Sequence, residues 1–386
     1  MKTIPQKFSI GYSYPVYFID TLFDPGKNHF QHIFDECGIA EGSKFMFVID
    51  SNVVRKNSTL IPSIELFFRM HAYKLTGRPL MIQGGEASKN DFSIVHKILE
   101  EINKHGLDRQ SYILAIGGGA VLDVVGFAAA IAHRGIRHIR IPTTVLAQND
   151  SGVGVKNGIN YFGKKNFIGS FAPPYAVVND FAFLKTLSNR EYRSGFSEAI
   201  KVGLIKDAAF FEFIEQHSGA LNQRDENAIH ELIYRCAKLH IQHIASGDPF
   251  EQGSSRPLDF GHWSAHKIEQ LTHFNVLHGE AVVMGICLDV IYSNLIGILS
   301  TDELMRILKL AKTLSFDLYH PCMELKNTHT EHLLLEGLQE FREHLGGRLT
   351  IMLLSKIGQG TEYHQIDDTL MLTAIASLKK YNESLG

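Results

Sequence analysis

The chain has 386 residues, with 38 Lys and Arg, 41 Asp and Glu, and a formal net charge of −3 at pH 7. This length exceeds one ordinary hydrophobic core and predicts two domains. Because the charges are balanced, the chain offers no strong positive field for nucleic acid, and we expect no nucleic-acid partner. The longest apolar stretch, near 124–132, is too short to span a bilayer, so we expect no membrane association. The first residues lack the apolar core of a signal peptide and the four cysteines lack CxxC spacing, which predicts a cytoplasmic protein with reduced thiols.

The first strong apolar run, 44–50, predicts a buried strand that ends in Asp50. An acid at the carboxyl end of such a strand suits a ribose hydroxyl. An Asx turn through Asp50, Ser51 and Asn52 explains the same residues, so both interpretations stay open.

The polar loop 84–89 follows the next apolar residues and contains Glu86 and Lys89. These two charged side chains suit a bound nucleotide. The loop is also typical of a helix start, with Ser88 or Asn90 as the capping residue.

A second buried strand is predicted before the triple glycine 117–119, and a helical pattern follows it to Ala132. Glycines let a phosphate approach the backbone, and a helix N-terminus supplies free N–H groups and a positive dipole end. The spacing differs from the dinucleotide pattern GxGxxG, so a simple tight turn between strand and helix is the alternative.

Residues 140–166 begin with a short strand and then show little periodicity. Long irregular segments in compact domains are usually functional or disordered, and the apolar residues and glycines here argue against disorder. Lysines beside such a loop suit a phosphorylated substrate, whereas Lys164 and Lys165 are also compatible with a solvated charge pair.

We predict the domain boundary at 187/188, giving an α/β domain over 1–187 and a mainly helical domain over 188–386. Before the boundary, apolar strands alternate with helical patterns, which implies a parallel sheet. After it, helical periodicity covers Glu191–Ile205, Ala208–His217, Glu226–Ile244, Gly261–Leu271, Gly279–Leu295, Thr301–Leu314 and His329–His344, and a late strand follows at 348–354.

Three segments of the helical half, 195–201, 259–266 and 277–281, offer one carboxylate and three imidazoles among glycines. A zinc-type divalent metal binds such a set and leaves one position open for substrate. His262 and His266 are four residues apart and share a helix face. The alternative is ordinary polar helix residues, because a chain with 20 His contains close pairs by chance.

Taken in order, the motifs GGGxxxD, IPTT, DSxxGxK, GKxN, ExxK, GHxxxH and HGEA resemble those of the dehydroquinate synthase superfamily, the sugar phosphate cyclases. The resemblance runs from about Asp50 to the C-terminal end. It implies a dehydroquinate synthase-like fold, with a Rossmann-like NAD-binding α/β domain and a mainly α-helical metal-binding domain. It also implies bound NAD, one zinc or cobalt ion, and a small-molecule sugar phosphate as substrate.

The same resemblance assigns roles to individual residues. The implied metal ligands are Glu198, His262 and His278. The implied catalytic residues are Asp150, Lys156, Lys201 and His266, with a fourth metal ligand as the alternative for His266. The implied substrate-binding residues are Asn166, Lys238, Asp259 and Arg134, of which Arg134 reaches the partner's site in a homodimer. The implied NAD-binding residues are Asp50, Asn52, Glu86, Lys89, Gly118, Gly119, Ala120, Asp123, Thr143, Thr144, Lys165, Phe183, Thr186 and Leu187.

The chain departs from true dehydroquinate synthases just before His262. Asp259 stands where those enzymes have Asn, and Ser255 stands where they have an Arg that binds the substrate carboxylate. The stretches 247–251, 256–263 and 340–347 resemble instead the 2-epi-5-epi-valiolone synthase branch and its Ebo-cluster relatives. That branch is associated with sedoheptulose 7-phosphate, a sugar without a carboxylate.

The implied reaction is transient oxidation by NAD, loss of phosphate, reduction of the ketone and an intramolecular aldol closure, with no net NADH. One alternative is 3-dehydroquinate synthase, which acts on a carboxylated heptulosonate phosphate. Another is a metal-dependent polyol or alcohol dehydrogenase, which would release NADH. A non-enzymatic scaffold with the same fold is the third.

Overall fold

The computed structural model describes residues 1–246, 248–250, 257–344 and 349–385. These residues form two compact units, one of Met1–Pro142 with Val155–Asp180 and one of Thr143–Gly154 with Phe181–Gly386. This division falls a few residues before the predicted boundary at 187/188, and it assigns the short segment 143–154 to the second unit. Ser255 and Arg256 lie outside the described residues, as do parts of the stretches 247–251 and 340–347.

The first unit is built on a parallel sheet, in agreement with the predicted α/β fold. Its seven strands, whose residue ranges close this paragraph, lie in the order β1-β9-β6-β5-β2-β3, and β4 also pairs with β2. Strands β2 and β5 are buried along almost their whole length, which explains why their sequences are apolar without alternation. The strands are β1 Val16–Ile19, β2 Lys44–Asp50, β3 Lys74–Leu75, β4 Leu80–Ile82, β5 Tyr112–Gly117, β6 Arg137–Pro142 and β9 Ala176–Asp180.

The register of this sheet brings two predicted positions to one edge. Ile49 pairs with Ile116, and Gly117 pairs with Pro142, so Asp50 and Gly117 both lie where parallel strands end. Ligands of α/β sheets bind at this carboxyl edge. The helices of the unit are α1 His29–Glu36, α2 Ser51–Lys56, α3 Leu60–Met70, α4 Phe92–Lys104 and α5 Gly119–Ile131.

A β-hairpin replaces part of the irregular stretch that we predicted over 140–166. Strands β7 Lys156–Tyr161 and β8 Lys164–Phe171 pair antiparallel through a two-residue turn. Phe162 and Gly163 have φ of 52° and 71°, the left-handed conformations that such a tight hairpin turn requires. The prediction missed the hairpin because Phe is an unusual first residue of this turn.

The second unit is mainly helical, as predicted, and carries a small antiparallel pair, β10 Ile351–Lys356 and β11 Gln359–Tyr363. Its helices are α6 Asn189–Ser194, α7 Phe196–Lys206, α8 Ala208–Asn222, α9 Glu226–Ala245, α10 His262–Leu271, α11 His278–Leu295, α12 Thr301–Thr313, α13 Leu333–His344 and α14 Asp368–Ser384. Helices α7 and α11 are buried on nearly all sides, which identifies them as the core of this unit.

Two helical predictions needed correction in this unit. The single helix predicted over Glu191–Ile205 is divided between α6 and α7 at Gly195, where a Cβ would collide with Val145. The last long helix, α14, was not predicted. Within the described ranges, no helix combines the length and apolar character needed to cross a membrane. All four cysteines are free thiols.

A buried arginine links the sheet of the first unit to its hairpin. Arg140 is fully buried, and its Nη2 donates to Asn157 Oδ1 over 2.7 Å and to the Lys156 carbonyl over 3.1 Å. Asn157 Nδ2 donates to the Ala172 carbonyl over 3.0 Å. Gly126 of α5 makes room for this arrangement, because a Cβ there would overlap the Asn157 amide.

We therefore predict that Asn157→Ala destabilises the protein by about 2 kcal/mol, since it removes an acceptor from a buried charge. Urea unfolding followed by circular dichroism measures the loss. Asn103→Ala, at an exposed position of α4, is the control and should change stability by less than about 0.5 kcal/mol. Equal losses in the two variants would contradict this role of Asn157.

Candidate functional site

The second unit brings the three predicted metal ligands together. Glu198 lies in the first turn of α7, and His262 and His278 are the first residues of α10 and α11. One possible ligand atom from each residue lies within 4.8 Å of the others. Glu198 Oε1 is 3.8 Å from His262 Nε2, and the rings of His262 and His278 are 5.5 Å apart.

Close backbone contacts at glycines make this cluster possible. Gly261 has φ of +75°, and a Cβ there would meet the Ile286 backbone N at 2.7 Å. A Cβ on Gly285 would overlap the Gly261 carbonyl, and a Cβ on Gly279 would overlap the Ser194 carbonyl. The start of α10 therefore packs directly against the middle of α11, and the start of α11 against the end of α6, because these positions have no side chain.

Hydrogen bonds to the Nδ1 atoms fix which nitrogen of each imidazole is free. His262 Nδ1 lies 3.0 Å from the Phe260 carbonyl, which can only accept, so Nδ1 carries the proton. His278 Nδ1 lies 3.0 Å from Glu269 Oε2, and the Glu269 side chain is almost fully buried. Both Nε2 atoms are thus left with a lone pair, as metal-binding histidines require. The donor set of this cluster fits a zinc-type ion.

A buried carboxyl group holds the chain on both sides of His262. Asp289 of α11 accepts from the Gly261 backbone N–H over 3.0 Å and from the Trp263 indole N–H over 2.9 Å. Burial raises the pKa of Asp289 to about 7. Sequence reasoning missed this residue because it lies inside an apolar helix, far along the chain from His262.

The charges around Glu198 are tightly coupled. Glu198 and Lys201 are buried and form an ion pair one helical turn apart. Burial raises the pKa of Glu198, although Lys201 opposes the shift. Burial alone would lower the pKa of Lys201, but Glu198, Asp150 and Asp259 outweigh it and raise that pKa. Lys201 therefore stays charged.

Asp150, which the sequence motif selected, belongs to the same charged group. It lies in a single π-helical turn, Ala147–Ser151, and His240 Nδ1 of α9 is 2.7 Å from its Oδ1. Burial would raise the pKa of the Asp150 carboxyl, but His240, Lys201 and His262 hold it well below its usual range. His240 was not predicted. The available signal was its place on the buried stripe of α9 that includes Ile233 and Cys236.

Two other predicted residues differ in their placement. His266 lies beside the cluster, with its ring 5.5 Å from that of His262 and 6.1 Å from that of His278. With Glu269 and His278 it forms a second set of possible ligands, so the fourth-ligand alternative stays open. Lys238 is exposed on α9, and residues two apart on a helix face different ways, so the face with His240 does not present Lys238.

The first unit assembles another predicted group. Lys89 Nζ donates to Asp123 Oδ2 over 2.6 Å and also contacts Asn166 Oδ1. Asn160, which sequence reasoning missed, donates to Glu86 Oε1 over 2.9 Å and accepts from the Asn166 backbone N–H over 2.8 Å. Three distant segments, the 86–90 turn, α5 and the hairpin, thus meet at one polar cluster.

The glycine loop of the first unit leads directly into a helix. Gly118 is the N-cap of α5, Gly119 and Ala120 begin the helix, and no side chain caps the first turn. Its free N–H groups suit a phosphate. Asp50 accepts from the Asn52 backbone N–H over 2.8 Å, so the Asx-type turn is present, and a Cβ on Gly84 would overlap the Asp50 carboxylate. These features fit a dinucleotide.

The remaining predicted residues lie on turns and strands of their own units. Arg134 is exposed and has φ of +64°, a strained conformation for this residue type. Lys156 and Lys165 lie on the hairpin. In the second unit Thr144 Oγ1 accepts from the Ala147 backbone N–H over 3.1 Å. Also in that unit are Thr143, Phe183, Thr186 and Leu187.

The chain is similar to known proteins along most of its length. The family model for the 3-dehydroquinate synthase N-terminal region matches residues 79–194, and that for the C-terminal region matches residues 195–335. The 3-dehydroquinate synthase of Dichelobacter nodosus is 34% identical over 312 residues, which cover 80% of this chain and 82% of the relative.

Solved structures have the same fold. The 2-epi-5-epi-valiolone synthase of Streptomyces hygroscopicus subsp. jinggangensis 5008, with NAD+ and Zn2+ bound, has a TM-score of 0.87 and 25% identity, with 98% of this chain and 99% of that chain covered. A 2-deoxy-scyllo-inosose synthase has a TM-score of 0.76 and 24% identity, with 94% and 96% covered, which shows the fold alone. The two family models and the curated relatives show that this chain belongs to the 3-dehydroquinate synthase family.

Proposed function

We propose that the protein is an NAD- and metal-dependent sugar phosphate cyclase that acts on a heptulose phosphate without a carboxylate, sedoheptulose 7-phosphate. The observation that carries the substrate assignment is the acid at position 259, which stands where dehydroquinate synthases have Asn and whose charge acts on the buried Lys201. Glu198, Asp150 and Asp259 all raise the pKa of this one buried lysine. An additional carboxylate on the substrate would meet this negative charge.

The proposed cofactors follow from the fit of the two sites and from the relative solved with NAD+ and Zn2+. Glu198, His262 and His278 would hold the metal, which supplies a Lewis acid for sugar oxygens. The glycine loop and Asp50 would contribute to the NAD site, and NAD supplies a reversible hydride acceptor. Zinc and cobalt are both compatible with the ligand set.

Several side chains of the second unit have proposed roles in handling the sugar. Lys201 is charged and buried, so its ammonium group would stabilise negative charge on a sugar or phosphate oxygen. The Asp150 carboxylate would accept a hydrogen bond from a sugar hydroxyl. His266 would take up or release a proton at a ring nitrogen beside the metal ligands.

True dehydroquinate synthases bind a substrate carboxylate, and they differ from this chain at position 259. Those enzymes have Asn at the position of Asp259, and an amide tolerates a nearby substrate carboxylate better than an acid does. A buried charge without a partner costs several kcal/mol, so this exchange of Asn for Asp disfavours a carboxylated sugar. A 3-dehydroquinate synthase is the second candidate, because the curated relatives at 34% identity carry that name.

Assembly and cellular location are proposed only from the resemblance. We propose a homodimer in which Arg134 reaches the partner's site, and a cytoplasmic location. The left-handed backbone at His133 and Arg134 supports a functional role for this turn, since such strain is concentrated at functional sites.

Removal of one ligand should abolish metal binding. We expect His262→Ala to lose most bound zinc after dialysis, measured by elemental analysis and by the fluorescence of Trp263, the single tryptophan. Glu269→Ala keeps the ligands but frees His278 Nδ1, so zinc affinity should fall roughly 10–100-fold. His217→Ala on α8 is the control. Stoichiometric zinc in His262→Ala would disprove the ligand assignment.

Adding a side chain to the glycine loop should weaken NAD binding. Gly118 has φ of −73° and ψ of 175°, which a β-branched residue also adopts, so Gly118→Val should fold normally. Its side chain would occupy the approach to the first turn of α5, and we expect at least about tenfold weaker NAD binding by calorimetry. Gly219→Val on α8, where a Cβ meets open space, is the control. Equal affinities would argue against this loop.

Substrate preference tests the proposed function itself. Phosphate release should be about 100-fold more efficient, in kcat/KM, with sedoheptulose 7-phosphate than with the carboxylated heptulosonate phosphate. Asp259→Asn should narrow this ratio. No net NADH should form, whereas a dehydrogenase would release NADH without phosphate and a scaffold would release neither. Equal or better turnover of the carboxylated sugar would establish the 3-dehydroquinate synthase alternative.

A further inference from the structure

Helix α9 and the turn Ala147–Ser151 share a polar contact between His240 and Asp150. His240 Nδ1 lies 2.7 Å from Asp150 Oδ1, and the two side chains are 15% and 20% exposed. Both residues belong to the second unit. The motif resemblance selected Asp150 but gave no role to His240.

This contact differs from the exposed ion pairs elsewhere on the chain. A mostly buried carboxylate needs a donor or a positive charge, because without one it costs several kcal/mol. Lys201 is already paired with Glu198, and the ion pair that Asp150 makes among the described residues is with His240. The imidazole therefore makes a close ion-pair contact, of 2.7 Å, with one carboxylate oxygen, Oδ1.

The second oxygen, Oδ2, receives no hydrogen bond from the described residues. Asp150 nevertheless lies within the electrostatic reach of Lys201 and His262, which places it in the charged group at the metal ligands. A carboxylate with one oxygen anchored and one free has a fixed orientation and a remaining acceptor. This is the arrangement needed to hold a hydroxyl group in a defined position.

We propose that His240 is a positioning residue, which anchors Asp150 Oδ1 so that Oδ2 accepts a hydrogen bond from a hydroxyl of the sugar phosphate. This inference rests on the proposed function, which supplies the identity of the substrate as a sugar phosphate. His240 itself does not touch the sugar and acts through Asp150. The residue lies on the buried face of α9, one turn beyond Cys236.

A purely structural role for His240 predicts different behaviour. In that case its replacement would lower stability and affect turnover equally whether or not Asp150 is present. Gly154 also lies against the ring, with a Cβ position 3.5 Å from His240 Nε2, so a packing effect must be measured separately.

The test uses the metal- and NAD-loaded protein and three variants of α9. His240→Leu should lower kcat/KM for phosphate release from sedoheptulose 7-phosphate about 10–100-fold, mainly through kcat. His240→Asn places an amide N–H near the former Nδ1 and should recover activity to within about threefold. His243→Leu, three residues along the same helix, should stay within about twofold of the wild type.

A double-mutant cycle separates positioning from packing. In an Asp150→Asn background, the His240→Leu change should cost less than about twofold, because the group through which it acts is gone. A full additional loss in that background would overturn the inference, as would wild-type activity in His240→Leu. Thermal unfolding and zinc content of each variant exclude misfolding as the cause.

A separate measurement keeps this inference distinct from the proposed function. If the wild type releases phosphate from neither sugar, the proposed function fails, and imidazole 15N NMR then judges the contact. The His240 Nδ1 resonance, assigned by its absence in His240→Asn, should shift in Asp150→Asn. An unshifted resonance would overturn the role of His240 as the anchor of Asp150.

Discussion

The candidate metal site depends on helix backbones that touch directly. Imidazole and carboxylate side chains are short, so three helix ends supply one ion only if they converge within a few ångströms. Gly261, Gly279 and Gly285 permit this, since each faces backbone atoms of a neighbouring segment where a Cβ would collide. Helix axes ordinarily pack about 8–10 Å apart, and these glycines let the backbones approach more closely than bulky residues would allow.

Hydrogen bonds from neighbouring groups orient the candidate ligands. Phe260 and Glu269 fix the protonated nitrogens of His262 and His278. Asp289 holds the backbone and the indole on either side of His262. Each of these contacts is hydrogen-bonded and at least partly buried, which keeps the cost of burying polar groups low and gives the candidate ligands one orientation.

The sequence predicted the parts of the molecule that local patterns encode. The parallel sheet followed from apolar strands alternating with helices, and the candidate metal ligands, which the structure brings together, were selected by their spacing and motif order. The hairpin β7–β8 was not predicted because Phe162 is an unusual residue at the first position of a tight hairpin turn. The division of Glu191–Ile205 was not predicted because Val145, which packs against Gly195, is distant in sequence.

Long-range pairs were equally out of reach. The partners of Asp150 and of Gly261, which are His240 and Asp289, lie on helices far along the chain, and one sequence gives no measure of which helix faces meet. The resemblance selected Lys238, which is exposed on α9, and gave no role to His240, two residues later on another face of the helix.

The segment 143–154 has a further consequence for how the chain acquires its structure. It is synthesised between β6 and β7 of the first unit, yet it packs with the second, where Asn149 Nδ2 donates to the Gly195 carbonyl over 2.7 Å. During synthesis this segment emerges before α7 and α9, so the residues it packs against in the second unit are not yet available. The two units are thus interlocked in folding order, and a fragment beginning at Phe181 would lack Asp150 however well its helices formed.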